Sequence, residues 1–327
     1  MNKIKLFRLL LALPLALMSC DDDSGRTPII GEITPSTPQS YNELKTTALN
    51  NNTQKFILET NDTGQLSFIS NNGIEIALLS ACLSLEGNPV EGEIEARFIE
   101  LFDQGNLLTT AVATMGKHTD QSHQMLISHG AFYLSLYQNG ALLDFDPTCG
   151  YTMQVPTSLT GGADHEMTLW YGNFDENENL IWKETDNQDQ PSQSIGIQED
   201  DYYVQATQLG WTNIGRFYSS SSPQTTFTVN VPEGYNAENS SVYLLYKGIN
   251  GIARLYYHLE NGWFSEQYGN IPIGQEAWVV FVSEYQSQWV YVMREVEIEE
   301  EQVIEILHTE LKSTSQLTLN NLINNLP

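Results

Sequence analysis

The sequence predicts an all-β protein: two antiparallel β-sandwich domains in tandem, preceded by a signal peptide and flexible tether and closed by a short C-terminal helix. Three observations carry that expectation. From Phe56 onward apolar residues recur with period two, the spacing of a strand with one buried face. Pairs such as Asn72-Gly73 and Asn139-Gly140 punctuate the runs, as hairpin turns require. Seven or eight such runs fall within about a hundred residues, the density of a sandwich.

The N-terminal element, residues 1–19, has the layout of a secretory signal. Lys3, Lys5 and Arg8 lead into the apolar stretch Leu9–Met18, followed by Ser19 and Cys20. Ten apolar residues interrupted by Pro14 fall well short of the ~20 that a membrane-spanning helix needs. Leu17-Met18-Ser19-Cys20 resembles the lipobox of bacterial lipoproteins, with Leu and Ser in the usual places and Met18 a less usual occupant. The resemblance implies cleavage before Cys20 and acylation of that cysteine, so that the membrane is contacted through lipid alone.

Residues 20–52 are expected to be the lipidated N-terminus and tether. Ser24–Gln39 carries Gly25, Pro28, Pro35 and Pro38 among polar neighbours, a composition that buries too little apolar surface to order itself. Asp21, Asp22 and Asp23 resemble the export signal that follows the lipidated cysteine in Bacteroidota-type surface lipoproteins. In enterobacterial lipoproteins an Asp at this place instead resembles an inner-membrane retention signal; the longer acidic run favours the first. The expected location is the outer membrane, at the cell surface, with its periplasmic face as the alternative.

The first sandwich is expected over residues 53–160. Leu66 and Phe68, then Ile74, Ile76 and Leu78, then Ile94, Ala96 and Phe98 alternate with polar residues. Phe132, Leu134 and Leu136, and finally Tyr151, Met153 and Val155, continue the pattern. Thr157–Asp164, with Gly161-Gly162 inside it, reads as an interdomain hinge. The second, aromatic-rich sandwich is expected over residues 161–327. Its strands are Met167–Tyr171, Leu180–Trp182, Tyr202–Gln205, Phe227–Val231, Val242–Tyr246, Leu255–Leu259, Trp278–Val282 and Trp289–Met293, with turns at Asn250-Gly251 and Asn261-Gly262. Ser313 and Ser315 are placed to cap a helix with Leu319, Leu322, Ile323 and Leu326 on one face.

Asn72–Pro156 resembles a ZU5-like or Ig-like module of Bacteroidota surface proteins. The matching residues include Gly73-Ile74-Glu75-Ile76, Gly87–Gly92, the strand bearing Glu100, Leu126–Phe132 and Asn139–Leu142. Leu209–Phe217 resembles a Gly-Trp…Arg-Phe element that accompanies such modules. The resemblance implies fold and location and carries no catalytic residue.

Charge narrows the function. The chain has 41 acidic residues against 14 basic ones, a formal charge of −27. A polyanion without a basic cluster is repelled by phosphate backbones, which excludes nucleic acid as a partner. Adsorption to an anionic bilayer is disfavoured for the same reason. With Cys20 acylated, Cys82 and Cys149 remain; the residues alone leave a disulfide and two separate buried thiols both open. A bridge would close a loop of about 66 residues, worth on the order of 4 kcal/mol in the chain-entropy picture.

No residue set reads as catalytic or metal-binding. His118, His123 and His129 are five and six residues apart, matching neither helical nor strand ligand spacing, and are expected to be solvated loop residues, as is His165. Asp175-Glu176-Asn177-Glu178-Asn179 is rich in calcium-type oxygens but lacks the spaced loop pattern. A hairpin tip uses the same residue types. Asp186–Asp189 and Glu199-Asp200-Asp201 are similarly acidic. No cofactor is expected, calcium being the one ion this composition suggests. All six tryptophans and 12 of the 16 tyrosines follow residue 163, where they suit cross-strand core pairs better than a sugar platform. The expected function is a non-catalytic binding, adhesion or scaffolding module of the cell envelope with a protein or glycan ligand. The alternative is a glycan-active enzyme or carbohydrate-binding protein using second-domain aromatics and carboxylates.

Overall fold

Strands dominate because the period-two pattern sorts side chains cleanly onto two faces. The structure, a computed structural model, describes residues 33–59, 63–184 and 195–327. The signal segment, Cys20, Asp21–Asp23 and the polar run Asp186–Ser194 lie outside the described residues. Three helices occur among them: α1 (Pro38–Asn51), α2 (Gln104–Thr109) and α3 (Gln316–Asn324). The all-β class holds, and Thr34–Pro327 is one compact unit.

The largest sheet runs Gln54–Leu58, Ile94–Leu101, His123–Gln138, Gly210–Phe217, Thr168–Phe174, Leu180–Glu184 and Met115–Lys117, with Ala141–Leu142 hairpinned onto the long third strand. Met115–Lys117 also pairs with the start of that long strand, so the sheet curls back on itself. A five-stranded sheet faces it in the order Ile195–Gln198, Asp201–Ala206, Tyr151–Pro156, Glu75–Leu79 and Gln65–Ile69. One apolar core fills the space between: Ile94, Ala96, Phe98, Phe132, Leu134 and Leu136 from the large sheet meet Phe68, Ile76, Met153 and Val204 from the other. Register matches the sequence alternation, with Phe98 opposite Leu134 and Ala96 opposite Leu136.

The sheets do not divide at Gly161. Gly210–Phe217 hydrogen-bonds to His123–Gln138 on one side and Thr168–Phe174 on the other. Strands from both sides of the expected hinge therefore share one sheet and one core. Thr157–Thr160 forms a 3-10 turn ending at Gly161 (φ 83°). The turn is fastened: the Thr157 amide and hydroxyl donate to Asp200 O at 2.8 and 2.7 Å, and Arg216 Nε donates to Asp164 Oδ2 at 2.9 Å. Glycines signalled a chain reversal here, and long-range pairing decided that it would not be a boundary.

Two further sheets follow Phe217. Tyr256–His258, Trp263–Pro272, Gln224–Asn230 and Gln302–Glu305 form one; Ala253–Arg254, Ser240–Tyr246, Glu276–Tyr285, Gln288–Glu297 and Lys312–Thr314 form the other. Every residue of Ser240–Tyr246 is buried, because α1 covers one face of this second sheet. The Tyr41 hydroxyl donates to Ser241 Oγ at 3.0 Å, and its ring meets Trp289 edge-on. Helix α1 departs from the tether expectation. Thr37 accepts from Ser40 N as its N-cap and Pro38 occupies the first turn. Only Tyr41 and Ala48 are buried along it, too few to register as a helical period. Helix α3 starts as expected, with Ser315 accepting from Thr318 N, but buries Leu319, Asn320 and Ile323 and leaves Leu322 exposed.

The two pairs of sheets are joined by hydrogen bonds from the loop Asn250–Ile252. Asn250 Nδ2 donates to Phe102 O and Ser128 O, both at 2.8 Å, and Thr114 exchanges bonds with Ile252. Gly251 is obligatory for contact: a Cβ there would lie 2.3 Å from Leu126 O.

Candidate binding cleft

Alternation in the second strand of the large sheet runs Ile94, Ala96, Phe98 and then Glu100, placing a carboxylate on the core-facing side at the end of an apolar row. Glu100 is buried, yet its charge is matched. Gln54 Nε2 and Asn72 Nδ2 donate to Oε1 at 2.7 and 2.9 Å, with the Asn72 amide at 3.3 Å; Ser70 Oγ donates to Oε2 at 2.7 Å. Buried carboxylates persist only when so partnered.

Each donor is held by local structure. Gln54 opens the first strand directly after the end of α1, and its Oε1 accepts from the Asn71 amide at 2.7 Å. Ser70, Asn71 and Asn72 belong to a tight turn in which Ser70 N donates to Ile74 O and Gly73 (φ 88°) reverses the chain. Above Glu100 lies an open cleft of about 400 Å³ lined by Asn51, Asn52, Thr53, Gln54, Lys55, Phe56, Asn71, Asn72 and Glu100. That volume lies within the range of small-molecule sites. Five of the nine lining side chains are amides, which donate and accept at once. Phe56 stacks on Phe68, with ring centroids 4.5 Å apart.

The cleft surrounds an engaged carboxylate with amide donors and acceptors. With four donors on its two oxygens, Glu100 is committed to organising its neighbours. Besides Glu100, Thr53 and Lys55 are the lining residues of a type that can act as nucleophile or base; no Ser, Cys or His stands among them. Sequence reading passed over Glu100 as a catalytic or binding residue; its signal was parity, a carboxylate at a position where alternation calls for an apolar residue.

The residues singled out from sequence are dispersed. Cys82 and Cys149 form a disulfide with Cα atoms 5.9 Å apart. The three neighbouring histidines occupy three environments, and two of them are not solvated loop residues. His118 stacks on Phe217; His123 and His129 lie on the long strand His123–Gln138 and pair with the hydroxyls of Tyr256 and Tyr202 at 2.6 and 2.8 Å. Burial lowers the pKa of both, overcoming the pull of Asp175 on His123 and of Asp164 on His129. Asp175 spends its carboxylate on its own turn, accepting from the amides of Asn177 and Asn179 and from Asn179 Nδ2. No group of three His, Cys, Asp or Glu suited to a metal ion occurs among the described residues. Trp170, Trp182, Trp211 and Trp289 are buried, and Trp263 and Trp278 are half-buried, so most of the tryptophans serve the core.

A second buried carboxylate, Glu266, lies between the two pairs of sheets. It accepts from the amides of Tyr268, Gly269 and Asn270 at 3.0, 2.9 and 3.4 Å. Burial pushes its carboxyl up to about 7, against the downward pull of those three amides. His123, Tyr246 and Met125 line the same small void, which leaves no room for a ligand comparable to the cleft at Glu100.

No protein-family description matches this chain, and no curated protein is significantly similar to it.

Proposed function

We propose that the chain is a non-catalytic, lipid-anchored binding module of the cell envelope that takes a polar, uncharged ligand, a glycan or a peptide backbone, in the cleft at Glu100. The observation that carries this reading is the pairing of an amide-lined opening with a carboxylate already committed to four internal donors. Amides match hydroxyl and peptide groups, whose hydrogen bonds they return without net charge. The formal charge of −27 sets a field that disfavours anionic ligands at the surface generally. The anchor rests on Cys20 and the preceding signal-like stretch, and cell-surface exposure on Asp21–Asp23.

Asn71 provides the test, because its side chain lines the cleft while its backbone alone holds the turn. Purified protein carrying Cys20→Ala, to keep it soluble, is screened against neutral oligosaccharides and short peptides. A ligand that binds without turnover, and about tenfold more weakly to Asn71→Ala, supports the reading; a lost hydrogen bond has that magnitude. Release of product from any hit would establish an enzyme instead. For the anchor, palmitate label incorporated in cells should vanish in Cys20→Ala. For exposure, external protease should remove the protein from intact cells unless Asp21–Asp23 are replaced by alanine.

A further inference from the structure

Arg254 is alone among the described arginines in having no carboxylate within 4.0 Å; Arg97, Arg216 and Arg294 each hold one. In a chain with nearly three acids for every base, an unmatched guanidinium marks a place where the anion comes from elsewhere. Its neighbours share the property. Arg254 lies directly opposite Tyr243 in the antiparallel pair, so both side chains leave the same face of the sheet. Two residues along, on that same face, Ser241 receives the Tyr41 hydroxyl of α1. One helical turn beyond Tyr41, Lys45 places its Nζ 4.5 Å from the Tyr41 ring, and it too has no carboxylate partner among the described residues. Tyr243 is fully buried, and its hydroxyl has no hydrogen-bond partner.

We propose that Lys45 and Arg254, with the unpartnered hydroxyl of Tyr243 on the sheet face that Arg254 shares, form a binding site for a small oxyanion, a carboxylate or phosphate group. The three donors are complementary. A guanidinium offers a planar fork to two oxygens, an ammonium a compact charge, and a phenol a single directed O–H. Two like charges brought together with partial loss of solvent are costly unless an anion joins them. The Lys45 amine records that cost: burial, and then Arg254, push it down to about 8. Glu178 pulls the other way, but it sits at an exposed turn with φ 59° and makes no contact with Lys45. The site shares no residue with the cleft at Glu100.

The experiment titrates the Cys20→Ala protein with inorganic phosphate and with acetate, against sodium chloride at matched ionic strength. Melting temperature and the Lys45 amine resonance are followed by calorimetry and NMR. Phosphate should raise the melting temperature by a few degrees beyond chloride at roughly tenfold over its Kd, and should move the Lys45 titration upward. Arg254→Gln and Lys45→Gln should each weaken binding at least tenfold, and Glu178→Gln, which removes the competing charge, should strengthen it. Lys45 is half-buried on α1 and has no carboxylate partner to lose, so its variant remains informative if Arg254→Gln folds poorly. Equal responses to phosphate and chloride, or unchanged binding in the Lys45 variant, would overturn the site. Vesicles containing phosphatidylglycerol form the last arm: capture that depends on Arg254 keeps the oxyanion chemistry and assigns it to a lipid headgroup, whereas capture by free phosphate alone assigns it to a soluble ligand.

Discussion

Glu100 and Glu266 are both buried glutamates accepting several hydrogen bonds, yet they are built on opposite plans. Glu266 is satisfied locally, by three consecutive backbone amides two to four residues further on. Glu100 is satisfied from a distance, by side chains 28 to 46 residues away in sequence, gathered from the end of α1 and the turn at Ser70–Asn72. Backbone donors move only when the chain moves. Side-chain donors reorient one by one and leave their far ends free for other contacts. A carboxylate held by side chains can thus shape a recognition surface, whereas one held by the backbone fixes a turn and little else.

Removing Glu100 should have the largest effect on this contrast. Glu100→Ala orphans Gln54 Nε2, Asn72 Nδ2, the Asn72 amide and Ser70 Oγ together, at a cost of about 4 kcal/mol. Denaturant unfolding with an unchanged m-value would register it. A loss under 1 kcal/mol would mean that water replaces the carboxylate freely and that the cleft is not organised by it.

Glu266 should show itself through pH. Its folded carboxyl titrates near 7, above the ordinary 4.5, so the folded state keeps a proton that the unfolded chain releases between those values. Its contribution is therefore full below about pH 4.5 and is lost as pH rises through 7, amounting to about 3 kcal/mol. The Glu266→Gln variant, neutral throughout, should gain stability relative to the parent from pH 5 to pH 8. Parallel stability profiles for the two proteins would show that Glu266 is charged when folded.

Ser70→Ala removes one of the four donors to Glu100 and should cost about 1 kcal/mol. Measured with Glu100→Ala in a double-mutant cycle, the pair should couple strongly, since the hydroxyl has no other carboxylate to serve. Additive effects would place Ser70 outside the cluster.

How far the sequence reached can be judged from its Asn-Gly pairs. Asn139-Gly140, with φ of 51° and 82°, is the hairpin turn that alternation on either side predicts. Asn72-Gly73 also turns the chain, as expected. Asn250-Gly251 is different: Gly251 has no left-handed backbone, and its missing Cβ lets the loop approach Leu126 O. The same dipeptide served two physical purposes, and only a partner more than a hundred residues away separates them. Glu100 shows the same limit. Its parity among Ile94, Ala96 and Phe98 was legible, but the donors that make it a cleft residue come from other elements. Helix α1 was hidden for another reason: with one aromatic and one alanine buried over 14 residues, it has a dock but hardly an apolar face.

The placement of Gly210–Phe217 between His123–Gln138 and Thr168–Phe174 has a consequence for how the protein is made. A polypeptide emerging from its N-terminus displays His123–Gln138, a strand of 16 residues, long before its neighbour exists. Until residue 217 arrives, that strand presents an unsatisfied row of amides and carbonyls, the kind of edge on which strands from other chains polymerise. The pairing spans about eighty residues, and loops of that length close slowly. A chain of this design must be shielded until its later strands arrive, and a fragment cut at residue 160 would keep the hazard permanently.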